Sequence, residues 1–433
     1  MKKHLLILLQ IFAVSCSAPT NRNIITTDIY NFWSAYDQIV STQDSALQYK
    51  YLDSLYFQKG TAGLNAIREA RNYTPQDYID AINNYPRFWS SVRENTLKTD
   101  KFVTQLGQGV EKLRAIYPSL KPAKIYFTIG ALRTSGTTMD SLLLIGSEIA
   151  MTDANTVSDE LPEDIRAARR TYFDSNPIDN LVFLNVHEYV HTQQKPIVHN
   201  LLSLVIYEGV AEFVAAKAMG IPSPTPAIEY GKHNDKVSQK FEAEMFLGYN
   251  LYQWLWGDEP NGFGVRDLGY YIGYQLCEIY YEKAADKKEA IKKLIELDYT
   301  DEKEIEDFVN ETGFFSSTLE AIYTEFDQKR PIVENLKPFN NHSSNVSPET
   351  KYLEIEFSEP LNGRNTGVDF GDLGETAFPK VVERFWSEDF RTWTLKVELE
   401  ANKHYQILIS NNFRNNDGIP LKPYLIDFET GQK

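Results

Sequence analysis

The chain has 433 residues, 42% of them apolar and 13% aromatic, enough for two or three well-packed domains. A formal charge of −16 argues against nucleic acid and against electrostatic binding to an anionic bilayer. Two cysteines, Cys16 and Cys277, allow at most one disulfide.

The first element is a targeting segment. "MKKHLLILLQIFAVSCSAPTN" sets two lysines before an apolar run from Leu5 to Val14. That run is shorter than the roughly 20 residues of a spanning helix and has the layout of an export signal over residues 1–15. Ala13-Val14-Ser15-Cys16 resembles the bacterial lipobox. The resemblance implies a lipid on Cys16, a short linker over residues 16–23, and attachment to a membrane of the bacterial cell envelope, the outer membrane with a periplasmic or surface-facing position. An ordinary cleaved signal is the alternative. A lipidated Cys16 leaves Cys277 without an intramolecular partner, so the fold must rest on its core. No later stretch is long and apolar enough to span, and the expected state is anchored to a membrane surface.

Residues 24–120 read as a helical region rich in aromatics, as in "IYNFWSAYDQIV", with Thr74 before Pro75 as an N-cap and first helical residue. Residues 121–329 open with two short apolar runs, "KIYFTIG" and "SLLLIGSEIA", separated by "ALRTSGTTMD". Their length and the Ser-Gly-Thr-Thr punctuation predict a pair of antiparallel strands. Helical patterning resumes from Glu163 to Gln328.

From residue 330 to 433 the period changes to two. "KYLEIEFSEPL", "TWTLKVEL" and "HYQILIS" alternate apolar and polar residues, with turns such as "NNDGIP" between them, which predicts a small β-sandwich. The ordered markers "FSEP", "W…TL", "Y.I.IS" and "F.T" resemble bacterial Ig-like domains, which implies a spacer or adhesion module.

The chemistry-bearing stretch is "FLNVHEYVHTQQK". Asn176-Pro177 and Pro196 bracket a predicted helix of about 17 residues, placing His187 and His191 near its middle on one face. Imidazoles at that spacing can share one ion, with Glu188 beside them to take a proton from bound water. The next helical pattern, "LLSLVIYEGVAEFVAAKAMG", carries Glu208 and Glu212 one turn apart in apolar surroundings, where a carboxylate is costly unless paired or bound to metal.

His187-Glu188-Tyr189-Val190-His191 followed by Glu208-Gly209-Val210-Ala211-Glu212-Phe213 resembles the gluzincin metallopeptidases, the superfamily of thermolysin and the one-zinc aminopeptidases. The resemblance spans about Ile125 to Tyr281. It implies one Zn²⁺ per chain on His187, His191 and Glu208, Glu188 as general base, a peptide or protein substrate aligned on the strand "SLLLIGSEIA", and a tyrosine from a later helix stabilising the oxyanion. Tyr271 and Tyr274, on a shared face of "LGYYIGYQLCEIYYEK", are the candidates for that last role, with Tyr230 and His233 as competitors. Glu212 is expected to orient a ligand histidine. His199 reads as a loop residue and Cys277 as a small core residue.

The expected fold class is therefore multidomain: a mainly α region containing an α+β zincin-like part with a small antiparallel sheet, followed by an all-β Ig-like sandwich. The expected function is a membrane-anchored zinc metallopeptidase. The alternative is a cell-envelope binding or assembly lipoprotein in which a catalytically inactive zincin scaffold carries the Ig-like domain.

Overall fold

The computed structural model describes residues 20–257 and 261–432. The export signal and Cys16 lie outside them. Among the described residues no helix is long and apolar enough to cross a membrane. The chain is multidomain and divides into two compact units. One takes the described residues up to Ile197 with Ile206–Glu229 and Gly269–Asp301; the other takes Val198–Val205, Tyr230–Leu268 and the described residues from Glu302 onward.

The first unit begins with strand β1 (Ile24–Ile25) and helices α1 (Thr27–Ile39), α2 (Ser45–Leu52), α3 (Ala62–Ala70), α4 (Pro75–Asn84), α5 (Pro86–Thr96) and α6 (Thr99–Ile116). Thr74 caps α4 as its sequence predicts: its hydroxyl accepts from Asp77 N at 3.2 Å, and the Asp77 carboxylate accepts from Thr74 N at 2.8 Å. Such a reciprocal cap satisfies backbone donors that would otherwise be orphaned. The aromatic richness becomes a buried cluster in which Phe32 lies 5.0 Å from Trp89 and 5.4 Å from Tyr56. These helices do not stand apart from the sheet. β1 pairs with a strand a hundred residues further on, and Tyr56 bonds both backbone groups of Ile129, donating to its carbonyl at 2.5 Å and accepting from its N–H at 3.0 Å.

The sheet of this unit has the order β1-β2-β4-β3, with β2 (Lys124–Thr128), β3 (Gly136–Met139) and β4 (Leu142–Gly146). It corrects the expected antiparallel pair. The two apolar runs are parallel neighbours, Ile125 opposite Leu143 and Phe127 opposite Ile145. The tight hairpin instead joins β3 to β4 through Asp140, whose φ is 52°. The reason lies in the connection: its Gly-Thr-Thr-Met segment pairs with β4 as a strand of its own, and "SLLLIGSEIA" leaves the sheet at Gly146 to form the helical turn α7 (Ser147–Ala150). Glu148 on that turn accepts from Gly130 N at 3.0 Å and Leu132 N at 3.2 Å, pinning the loop after β2.

Helical structure then runs from α8 (Glu163–Asp174) through α9 (Leu181–His191), α10 (Leu201–Met219), α11 (Pro226–Lys232), α12 (Lys236–Glu244), α13 (Leu251–Trp254), α14 (Leu268–Lys283), α15 (Lys287–Ile295) and α16 (Glu302–Thr312) to α17 (Leu319–Gln328). The helix of the HExxH motif is shorter than expected. A 3₁₀ turn occupies Pro177–Asn180, α9 starts at Leu181, and its last residue is His191. Asn176, in the left-handed conformation at φ 49°, kinks the entry, and Thr192 caps the exit four residues before Pro196.

The second unit contains two antiparallel sheets, β5-β6-β9-β8 and β11-β10-β7. Their strands are β5 (Val333–Lys337), β6 (Tyr352–Phe357), β7 (Val368–Asp369), β8 (Lys380–Trp386), β9 (Thr392–Glu398), β10 (His404–Ile409) and β11 (Tyr424–Glu429). The alternating residues point as their period requires. Leu353 and Ile355 face inward opposite Leu395 and Trp393, and Ile407 from the other sheet joins the same core.

Candidate metal centre

α9 buries Phe183, Val186, Tyr189 and Val190, which fixes its rotation. Its end is tied to the segment before β2: the Tyr189 hydroxyl accepts from Ala123 N at 2.8 Å, and Gln193 Oε1 accepts from Lys121 N at 2.7 Å. With α9 so held, His187 and His191 face α10. Two contacts then decide which ring nitrogen each offers. His187 Nδ1 donates to Glu212 Oε2 at 2.7 Å, and His191 Nδ1 donates to Gln194 Oε1 at 2.6 Å. The Gln194 amide cannot be reversed without loss, because its Nε2 donates to the Tyr207 carbonyl at 2.9 Å and the Tyr299 hydroxyl at 3.3 Å. With each Nδ1 committed, each Nε2 is the free face of its imidazole.

The two Nε2 atoms lie 3.0 Å apart, and Glu208 Oε2 lies 3.3 Å from one and 3.4 Å from the other. Two imidazole nitrogens and a carboxylate oxygen converging in this way could hold a cation between them. Donors about 2.0–2.1 Å from a tetrahedral zinc stand roughly 3.3 Å from one another, so the triangle fits the ion and leaves a fourth position. Without an ion, a proton must do the neutralising. Burial would push the His187 imidazole down, but hydrogen bonds to Glu208 and Glu212 outweigh it and hold its pKa up at about 10. Burial would likewise raise the Glu208 carboxyl, and the charges and hydrogen bonds of His191 and His187 hold it below the usual carboxylate range instead.

Aromatic rings close the surroundings. Tyr207 stacks on His191 with centroids 4.5 Å apart and planes 11° from parallel, and Tyr299 meets Tyr207 edge-on at 5.5 Å. Tyr270 of α14 lies 6.1 Å from His187. α14 comes this near because Gly209 crosses Gly273: a Cβ on Gly209 would stand 2.1 Å from the Gly273 carbonyl carbon.

The structure therefore brings together His187, His191 and Glu208, places Glu212 behind His187, and leaves Glu188 half-buried on the same helix. Tyr271 and Tyr274 are buried on α14, where Tyr274 packs edge-on against Phe213 at 5.3 Å; the tyrosine ring against His187 belongs to their neighbour Tyr270. Tyr230 and His233 belong to the other unit, His199 is exposed, and Cys277 is fully buried with its thiol pushed up by burial. Sequence reasoning missed Gln194, Tyr207, Tyr299, Ser223 and Thr225. A glutamine three residues after the second histidine and a tyrosine directly before Glu208 were the available signals.

The family model described as "Gliding motility protein GldB" matches residues 18–256, which is more than half of the chain and includes His187, His191 and Glu208. No curated protein matches the chain. Among solved structures, CopC from Methylosinus trichosporium OB3b is 16% identical, covering 24% of this chain and 95% of that one, with a TM-score of 0.19. The S-layer protein rSbsC(31-844) and surface layer protein SbsC, domains 1–6, are each 13% identical over 96% of this chain, with TM-scores of 0.18 and 0.19. The chain spans 46% of the length of each of those two. Scores this low carry no argument about fold or function.

The family match overturns the expectation of a membrane-anchored metallopeptidase and favours the alternative, a cell-envelope assembly protein; nothing in it supports a peptide substrate. The physical reason is that HExxH with a carboxylate on the next helix specifies where metal donors stand; turnover is a separate property that the donor set does not guarantee. The matched residues 18–256 include this cluster, and the chain belongs to the family of the gliding motility protein GldB.

Proposed function

We propose that this chain is a lipid-anchored protein of the bacterial cell envelope that serves the assembly of a gliding apparatus through protein contacts. His187, His191 and Glu208 hold one zinc ion in it as a structural fastener, on a zincin-like scaffold without turnover. The observation that carries the reading is the family match across residues 18–256. The lipobox-like Ala13-Val14-Ser15-Cys16 supports anchoring through Cys16. The zinc is supported by three acceptor atoms facing one another at 3.0–3.4 Å with both Nδ1 atoms engaged elsewhere. A bound zinc would supply the positive charge that lets this donor set remain buried and would cross-link α9 to α10.

Partner contact is assigned to the C-terminal sandwich. β8 stands at the end of its sheet and exposes Val382 and Phe385 at 50% and 44%. Sheet edges of this kind accept further strands unless blocked.

Allelic replacement in a gliding bacterium tests the reading, with surface spreading as readout. Loss of the gene, Cys16→Ala, and the pair His187→Ala/His191→Ala are each expected to abolish spreading, whereas Glu188→Gln is expected to retain it. Normal spreading without the gene overturns the gliding role. Loss of spreading in a folded, zinc-loaded Glu188→Gln protein overturns the purely structural role of the centre.

A further inference from the structure

The stretch after α10 reads Gly220-Ile221-Pro222-Ser223-Pro224-Thr225-Pro226, three prolines alternating with two hydroxyl residues. α10 stops at Gly220, whose φ of +69° only glycine adopts without strain and whose N–H still bonds Ala216 O at 2.9 Å. Each proline fixes its own φ and biases the residue before it toward extended backbone. Ser223 and Thr225 both precede a proline, so their conformations are restricted before the chain folds. Their hydroxyls converge on one atom. Ser223 Oγ and Thr225 Oγ1 both donate to Glu212 Oε1, the latter at 2.8 Å, while Ser223 Oγ also accepts from Thr225 N at 3.0 Å.

Glu212 is 1% exposed, and its other oxygen, Oε2, receives His187 Nδ1. With Oε1 held by two donors, the carboxylate has one orientation, and that orientation sets the plane of the His187 ring. Gln194 has the same duty toward His191 but is held by a backbone carbonyl and a tyrosine.

We propose that Ser223 and Thr225 are positioning residues of the metal centre: by clamping Glu212 they aim Nε2 of His187 at the ion. This inference rests on the zinc reading above. The proline-spaced turn is the preorganised part, since its hydroxyls need little ordering to meet Glu212. Groups that orient a metal-binding histidine in this way typically change affinity by about 10- to 100-fold when removed.

Zinc affinity of the full chain, measured by competition with a chromophoric chelator, tests it. The proteins compared are wild type, Thr225→Ser, Thr225→Val, the pair Ser223→Ala/Thr225→Val, and Glu212→Gln, each also melted in excess chelator. Thr225→Ser keeps the hydroxyl and is expected to bind as wild type. The pair is expected to raise the zinc Kd by about 10- to 100-fold with an unchanged metal-free melting temperature. Wild-type affinity in the pair overturns the clamp and leaves the zinc centre standing. A lowered metal-free melting temperature with unchanged Kd also overturns it, showing a turn that is merely structural. Absence of zinc binding by the folded wild type overturns the centre and the clamp together. Should the pair fail to fold, Thr225→Val against Thr225→Ser decides by the same criterion.

Discussion

At the scale of single residues, the two histidines could serve one ion because something else occupies their far nitrogens. His187 leans on the buried Glu212 and His191 on the half-buried Gln194, so removing either ring also takes a hydrogen-bond partner from the side chain behind it. The pair His187→Ala/His191→Ala is expected to lose stoichiometric zinc, with elemental analysis after reconstitution as the check; one zinc per chain in that variant would contradict the assignment. A second buried acid behaves differently. Glu148 is fully buried, and burial pushes its carboxyl up to about 7 against the hydrogen bonds donated by Gly130 and Leu132 N–H, which favour the ionised form. Its ordinary value is 4.5, so between the two values the folded chain holds a proton that the unfolded chain releases. Stability from this group is complete below about 4.5 and is lost as pH rises through about 7, a change on the order of 3 kcal/mol. Denaturant titrations at a series of pH values should show this slope in wild type and a flatter profile in Glu148→Gln.

At the scale of elements, the centre depends on a helix crossing. Gly209 meets the backbone of Gly273 and Tyr274, so α10 and α14 approach with no side chain between them, and Tyr270 is carried to His187. A methyl group at Gly209 has only backbone to displace. Gly209→Ala is therefore expected to destabilise the chain by about 1–3 kcal/mol, more than its helix propensity would return, measured by urea unfolding. Stability equal to or above wild type would mean that the crossing can open freely. The same crossing explains why the motif reads Glu-Gly and not Glu followed by a larger residue.

At the scale of the whole molecule, the chain passes between its two units more than once, yet each unit has residues of its own to bury. The sandwich core centres on Trp393, Phe357 and Ile407, none of which belongs to the unit that holds His187, His191 and Glu208. Trp393→Ala should cost the sandwich about 3–5 kcal/mol through lost burial and the cavity left behind. Zinc affinity should remain at the wild-type value, as measured by chelator competition. A weakened zinc site in that variant would show that the two units are energetically coupled.

Periodicity and spacing determined much of this protein by themselves. The i,i+4 histidines, the following helix with Glu208 and Glu212, the cap at Thr74 and the alternation of β6, β9 and β10 were all legible, because each is set by local geometry repeating every 3.6 or 2 residues. What remained hidden depended on distant partners. Parallel pairing of β2 with β4 required the intervening segment to choose β4 as its neighbour, and α9 is shorter than its flanking prolines allow because Pro177–Asn180 takes a 3₁₀ turn and the helix stops at His191. The same holds for Tyr270: helical periodicity placed Tyr271 and Tyr274 on one face but could not say how α14 is rotated, which the Gly209–Gly273 contact decides. Sequence determined which donors exist and roughly where each lies along its helix; tertiary packing decided which atoms meet, since a rotation of a single residue, about 100° on a helix, exchanges one facing side chain for the next.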